Sequence, residues 1–124
     1  MLFTLPRDMG VFEYNSNTYL VRDLIIASGH VEEIDFDSVS WMLYEDVWSD
    51  KKGNRIRPYD VLKYPEQYPS HRKQIENCDL SFPIIVFQDG NRVGVADGCH
   101  RLAQAFVLNH RHILARTVNL EHMY

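Results

Sequence analysis

The stretch "FPIIVFQDGNRVGVADGCHRLAQAFVLN", residues 82–109, decides the fold. Its opening "FPIIVFQ" is a continuous apolar, β-branched run of strand length, which predicts a strand buried on both faces. "DGN" follows with residues that tolerate positive φ, and "RVGVA" returns as a second strand, so the pair reads as a hairpin. Asp97 and Gly98 then lead into a helix with Leu102, Ala105, Phe106 and Asn109 on one stripe. Asn109 is placed as a left-handed terminator where glycine would be usual. Just beyond, "HILARTV", residues 112–118, closes the unit as a third strand, with Ile113, Ala115 and Thr117 alternating against Leu114, Arg116 and Val118.

A strand, then Asp-Gly, then a helix is also a chemical arrangement. The first turn of a helix leaves backbone N–H groups without intrahelical partners, and the macrodipole makes that end electropositive. Gly98 removes the side chain that would block a phosphate, while His100 and Arg101 add donors in the same turn. Asp97 serves as a cap there, or as a holder of Mg²⁺ or of a substrate hydroxyl. The bland alternative is a turn with a cap, a half-buried histidine and a surface cation.

Upstream, "GVFEYNSNTYLVRDLI" alternates around an "NSN" turn and suits a short hairpin. In "DFDSVSWMLYEDVW", Val39, Met42, Leu43 and Val47 recur at helical spacing, which predicts an amphipathic helix of about three turns capped by Asp35 or Asp37. "SDKKGNRIRP" is a polar loop. Pro58 opens a short helix, "PYDVLKY", because a proline loses nothing at a first helical position. Ser70 is a candidate cap for "HRKQIENC", a helix ending near Asn77.

With 124 residues the chain predicts one domain, 1–124, and 45% apolar against 24% charged residues marks it as globular. The formal charge of −4 lacks the basic footprint of non-specific nucleic-acid binding, so DNA binding by charge alone is not expected. "MLFTLPRDMG" carries no basic leader with a long apolar run, and no window approaches a membrane span, so a cytoplasmic protein is expected. Cys78 and Cys99 predict two free thiols.

The 36 residues "PIIVFQDGNRVGVADGCHRLAQAFVLNHRHILARTV" resemble the nucleotide-binding core of the ParB and sulfiredoxin superfamily. Its members carry a strand, a hairpin, a D-G-x-H-R or G-G-C-H-R turn, a helix and a closing strand. "VRDLIIASGHVEEIDFDSVSWML" is loosely similar to the family's opening strand, loop and helix. The resemblance implies nucleotide phosphates seated on Gly98, Cys99, His100 and Arg101, with ATP, ADP or CTP as the nucleotide and Mg²⁺ carried by the phosphates.

Three activities follow from the resemblance. Sulfiredoxins use ATP and the cysteine at the position of Cys99, and a helix start beside His100 and Arg101 is expected to lower that thiol's pKa. Ala96 and Asp97 stand where sulfiredoxins have an aromatic residue and a glycine, and their arginine-bearing N-terminal motif is missing. Stand-alone members similar to free-serine kinases and phage DNA-base kinases carry D-G-x-H-R, which Asp97 fits, and move a phosphate onto a small-molecule or nucleobase hydroxyl. They use an acid ahead of the first helix as base, and Glu32, beside Glu33, is the nearest match. The DNA-partition members need a helix-turn-helix domain, and here six residues follow Val118, so that role is not expected.

Other constellations are weaker. His110 and His112 are expected to face one side of the last strand, which gives two metal ligands and no site. "KKGNRIR", residues 51–57, and "SHRKQ", residues 70–74, are basic clusters that by default are solvated. They are also where a phosphate lid or a strand contact would lie, with Trp41, Trp48 or Tyr59 for stacking. The expectation is thus an α+β, ParB/sulfiredoxin-like domain with a small mixed sheet and helices packed on one side. The expected function is a nucleotide-dependent phosphotransferase or NTPase with Asp97, His100 and Glu32 as catalytic residues. The alternative is a non-catalytic nucleotide-sensing or interaction module.

Overall fold

A computed structural model describes residues 11–123; the reading of "MLFTLPRDMG" lies outside the described residues. The architecture is α+β: the described residues form four α-helices and a four-stranded mixed sheet accompanied by two short hairpins. Strand β1 (Val11–Tyr14) turns through Asn15 and Ser16, both at positive φ, into β2 (Asn17–Leu20), as the "NSN" turn predicts. Helix α1 (Val21–Ala27) follows directly, then strand β3 (Glu32–Asp35).

The segment expected as a three-turn helix differs. Phe36–Ser38 and Ser40–Tyr44 form two 3₁₀ turns, and Trp48 belongs to the short strand β4 (Trp48–Ser49), which pairs with β5 (Arg55–Ile56). Val39, Met42 and Leu43 are buried as the spacing requires, because three-residue spacing suits a 3₁₀ turn as well as an α-helix. The hydroxyls of Ser38 and Ser40 donate to the carbonyls of Asp35 and Asp37, giving the backbone local partners that compete with an α-helix.

Helix α2 (Pro58–Lys63) opens on its proline, and the Asp60 carboxylate accepts the Arg57 backbone N–H at 3.0 Å and pairs with the Arg57 guanidinium at 2.8 Å. Helix α3 (Pro69–Asn77) opens on Pro69 with Tyr68 at the cap position, so Ser70 lies inside the first turn and is not the cap. The prearranged φ of a proline at the first position suffices to start it.

Strand β6 (Ile84–Asp89) and strand β7 (Arg92–Asp97) form the expected antiparallel hairpin. Helix α4 (Cys99–Val107) follows, with Asn109 at φ 59° just beyond it, and strand β8 (His112–Asn119) closes the sheet. The order is β3-β8-β6-β7, with β8 and β6 parallel and both outer pairs antiparallel.

Both faces of β6 are covered. Ile84 and Val86 join Val95, Ile113 and Ala115 beneath Leu102 and Ala105 of α4, Val61 of α2 and Ile75 of α3. Ile85 and Phe87 point the other way, where Val118, Tyr19, Leu24 and Leu120 enclose them. The expectation of helices on one side is therefore corrected: α1 and the first hairpin cover the second face, which a strand apolar on both sides demands. Complete burial of a side chain such as Phe87 or Leu24 contributes about 1.5–3 kcal/mol. On α4 the buried stripe is Leu102, Ala103 and Ala105, and Phe106 sits at the rim, since two small alanines let the helix approach the sheet closely. Among the described residues no helix is long and apolar enough to cross a membrane.

Candidate functional site

The site is built outward from the turn between β7 and α4. Gly98 holds φ 111° and ψ 26°, and a Cβ at this position would stand 2.6 Å from Cγ2 of Ile84. A side chain is thus excluded twice, by the left-handed backbone and by the neighbouring strand. No side-chain hydrogen bond caps this end of α4 among the described residues. The Leu102 N–H bonds the Gly98 carbonyl at 2.9 Å, so the helical ladder starts at the glycine and the first-turn N–H groups precede it.

This turn borders a cleft of about 690 Å³, within the usual range of small-molecule sites. Asp97, Gly98, Cys99 and His100 form one wall. Tyr14 of the first hairpin, Trp41, and Arg92 of β7 form another, and Trp48, Arg55 and His71 close the third. Arg92 lies over the Trp41 ring at 4.7 Å and near the Tyr14 ring at 5.9 Å, a cation held by two aromatic faces. Trp41 donates its indole N–H to the Val93 carbonyl at 2.8 Å, covering part of the outer edge of β7. Glu13, Glu45 and Asp46 add acidic groups to the lining.

A second feature of the cleft joins three elements. His71 Nδ1 and His100 Nε2 are 3.0 Å apart, with ring centroids at 5.2 Å and planes within 17°. The two imidazoles therefore lie edge to edge in nearly one plane. Trp48 stacks on both, at 4.4 Å and 15° from His71 and 4.2 Å and 18° from His100. These distances set the indole roughly 3.5 Å above the middle of the pair, the contact distance of stacked carbons.

The expected site residues divide. Asp97, Gly98, Cys99 and His100 line the cleft together. Arg101 does not: its Nη1 donates to the Pro83 carbonyl at 2.7 Å and its Nη2 sits 3.5 Å from Asp97 Oδ2, so it clamps the entry of β6 to the end of β7. Glu32 pairs with Ala115 on the outer strand β3. Strands β3 and β7 are opposite edges of the sheet, three strand spacings or roughly 14 Å apart, and Glu32 does not line the cleft. Chain order suggested the base, and strand order removes it from Asp97.

Cys99 and Cys78 are both free thiols. The expected lowering of the Cys99 pKa is reversed: burial pushes the thiol up to about 12, and the neighbouring Asp97 adds to the rise. Low dielectric around the sulfur disfavours the thiolate. His110 precedes β8, with its N–H on the Ala105 carbonyl, and His112 Nε2 lies 3.4 Å from Asp35, so the two do not share a strand face. Among the described residues no three metal-ligating side chains converge.

Arg55 of "KKGNRIR" and His71 of "SHRKQ" both reach the cleft, so the two basic clusters supply residues to it. Arg92 and the partnership of His71 with His100 carried no local signal, because each arises only when separate elements meet. No family model, no curated protein and no solved structure matches the chain.

Proposed function

We propose that the protein binds a nucleoside di- or triphosphate in this cleft and moves or hydrolyses its terminal phosphate. The observation that carries the reading is the turn at Gly98. It opens an uncapped helix start onto a cleft that also holds two arginines, Arg55 and Arg92. Backbone N–H groups of Cys99 and His100 bind phosphate oxygens, and the helix dipole favours the negative charge. Arg92, braced by Trp41 and Tyr14, and Arg55 offset charge on the group in transit.

Mg²⁺ fits as a passenger of the phosphates. Phosphate oxygens and water would hold it, with Asp97 the carboxylate of the cleft turn available to join them. When bound it neutralises the phosphate charge. Arg101 contributes by holding Asp97 and the start of β6 in place. The resemblance to the ParB and sulfiredoxin superfamily points to the same seat for the phosphates, and the elevated Cys99 pKa argues against a reductase chemistry.

Calorimetry with ATP, ADP, CTP and GTP, with and without Mg²⁺, tests the reading. Micromolar binding of at least one nucleotide, weakened about tenfold in Arg92→Ala by loss of a charge-assisted contact, is the expected result. Absence of binding by all four sinks it.

A further inference from the structure

The proposed transfer needs an acceptor for the proton that leaves the attacking hydroxyl or water, and Glu32 lies on the far edge of the sheet. We propose that the coplanar His71–His100 pair is that acceptor, with His71 the positioning residue that holds the His100 ring and shares the proton. This rests on reading the cleft as a phosphoryl-transfer site.

The geometry makes the pair one unit. In its neutral form a single N–H bridges Nδ1 of His71 and Nε2 of His100 at 3.0 Å. Whichever ring donates, one of the two outer nitrogens carries a lone pair and the other a proton. A proton taken up at that lone pair leaves the bridge intact, since an imidazolium donates to an imidazole, and a shift of the bridging proton spreads the charge over both rings. A second proton removes the bridge's acceptor and sets two cations 3.0 Å apart. The pair therefore accepts one proton readily and resists two, as coupled groups do. The indole face of Trp48 across both rings favours the singly charged state.

In the step itself, the acceptor oxygen forms a bond to the terminal phosphorus while the bond from phosphorus to the bridging oxygen of the nucleotide breaks. The hydroxyl proton passes to the pair, and the nucleotide, shorter by one phosphate, leaves with the bond's electrons. The pair returns its proton to solvent after release. An imidazole base suits neutral pH, and burial holds His71 below the ordinary imidazole range, so that ring starts neutral there.

Charged groups of both signs surround the pair among the described residues, with Glu13 and Arg92 across the cleft. Glu45 and Asp46 lead into β4, Arg55 lies on β5 and Asp97 precedes α4, all four lining the cleft. On α3, Arg72 and Lys73 follow His71, with Arg72 paired to Glu76. Arg101 follows His100 and is held by Pro83 and Asp97.

Two measurements test the pair. Imidazole ¹⁵N titration of the ligand-free protein is expected to show both rings shifting together in a first step, with a second step more than one pH unit lower; two independent single-site curves overturn the proposal. Phosphate release from Mg·ATP or Mg·CTP is then followed against pH in wild type and His71→Gln, whose amide keeps a hydrogen bond without taking a proton. The variant is expected to bind nucleotide within about threefold of wild type, to fall about a hundredfold in rate and to lose the wild-type acid limb. An unchanged rate and profile overturn the proposal. A wild type that binds nucleotide yet releases no phosphate to water or any hydroxyl overturns it while leaving the binding reading intact; failure to bind removes both. The wild-type titration needs no variant, so a folding defect in His71→Gln does not shelter the pair.

Discussion

Arg101 donates to the Pro83 carbonyl at 2.7 Å and pairs with Asp97 at 3.5 Å, which makes it a brace between two strands. Arg101→Ala removes the guanidinium that the Pro83 carbonyl and the Asp97 carboxylate share, at a cost of about 1–3 kcal/mol. The expected outcome is a melting temperature several degrees lower, with nucleotide affinity less affected than in Arg92→Ala. A variant that melts like wild type but loses affinity would return Arg101 to the phosphates.

Gly98→Ala is expected to be among the most damaging single changes in the chain. It adds a side chain at φ 111° and presses it against Ile84, for a combined cost of at least about 2 kcal/mol. Gly90→Ala, at φ 59° with open space around it, carries the backbone penalty alone and serves as the comparison. Equal denaturation midpoints for the two variants would contradict the close approach of Ile84.

The Cys99 thiol, pushed up to about 12, is almost wholly protonated near neutrality. Its alkylation at pH 8 is expected to be roughly a thousandfold slower in the folded protein than in the urea-unfolded chain, read by peptide mass spectrometry. Cys99→Ser is expected to keep nucleotide binding. Rapid labelling of native Cys99 would revive a nucleophilic role.

His71 sits below its unfolded pKa because it is partly buried. The unfolded chain therefore takes up this proton first as pH falls, so the associated stability is full above the unfolded value of about 6.5 and declines below it. Melting temperature is expected to be level above pH 7 and to fall toward pH 5, with a shallower fall in His71→Gln. An identical slope in both proteins would place the acid sensitivity elsewhere.

Much of the last third was legible because its signals are local. "PIIVF" has no polar position to expose, "DGN" supplies its own turn, and Asn109 adopts the left-handed terminator conformation. Residues 36–44 were read correctly for burial and wrongly for conformation, since three-residue spacing serves two kinds of helix and the serine hydroxyls tip the choice. The order of strand, Asp-Gly turn and helix around Gly98 was legible by residue type alone. Glu32 was misplaced because chain order cannot say that β8 lies between β3 and β6. Trp48, His71 and His100 come from three elements that no local period connects, so their stack was invisible until the chain folded.

Strand β6 lends Ile84 and Val86 to one core and Ile85 and Phe87 to the other. Neither core can lose its packing without releasing alternate residues of the same six-residue strand from the other. The two faces are therefore expected to melt together, with the amides of β6 among the slowest of the described residues to exchange with deuterium.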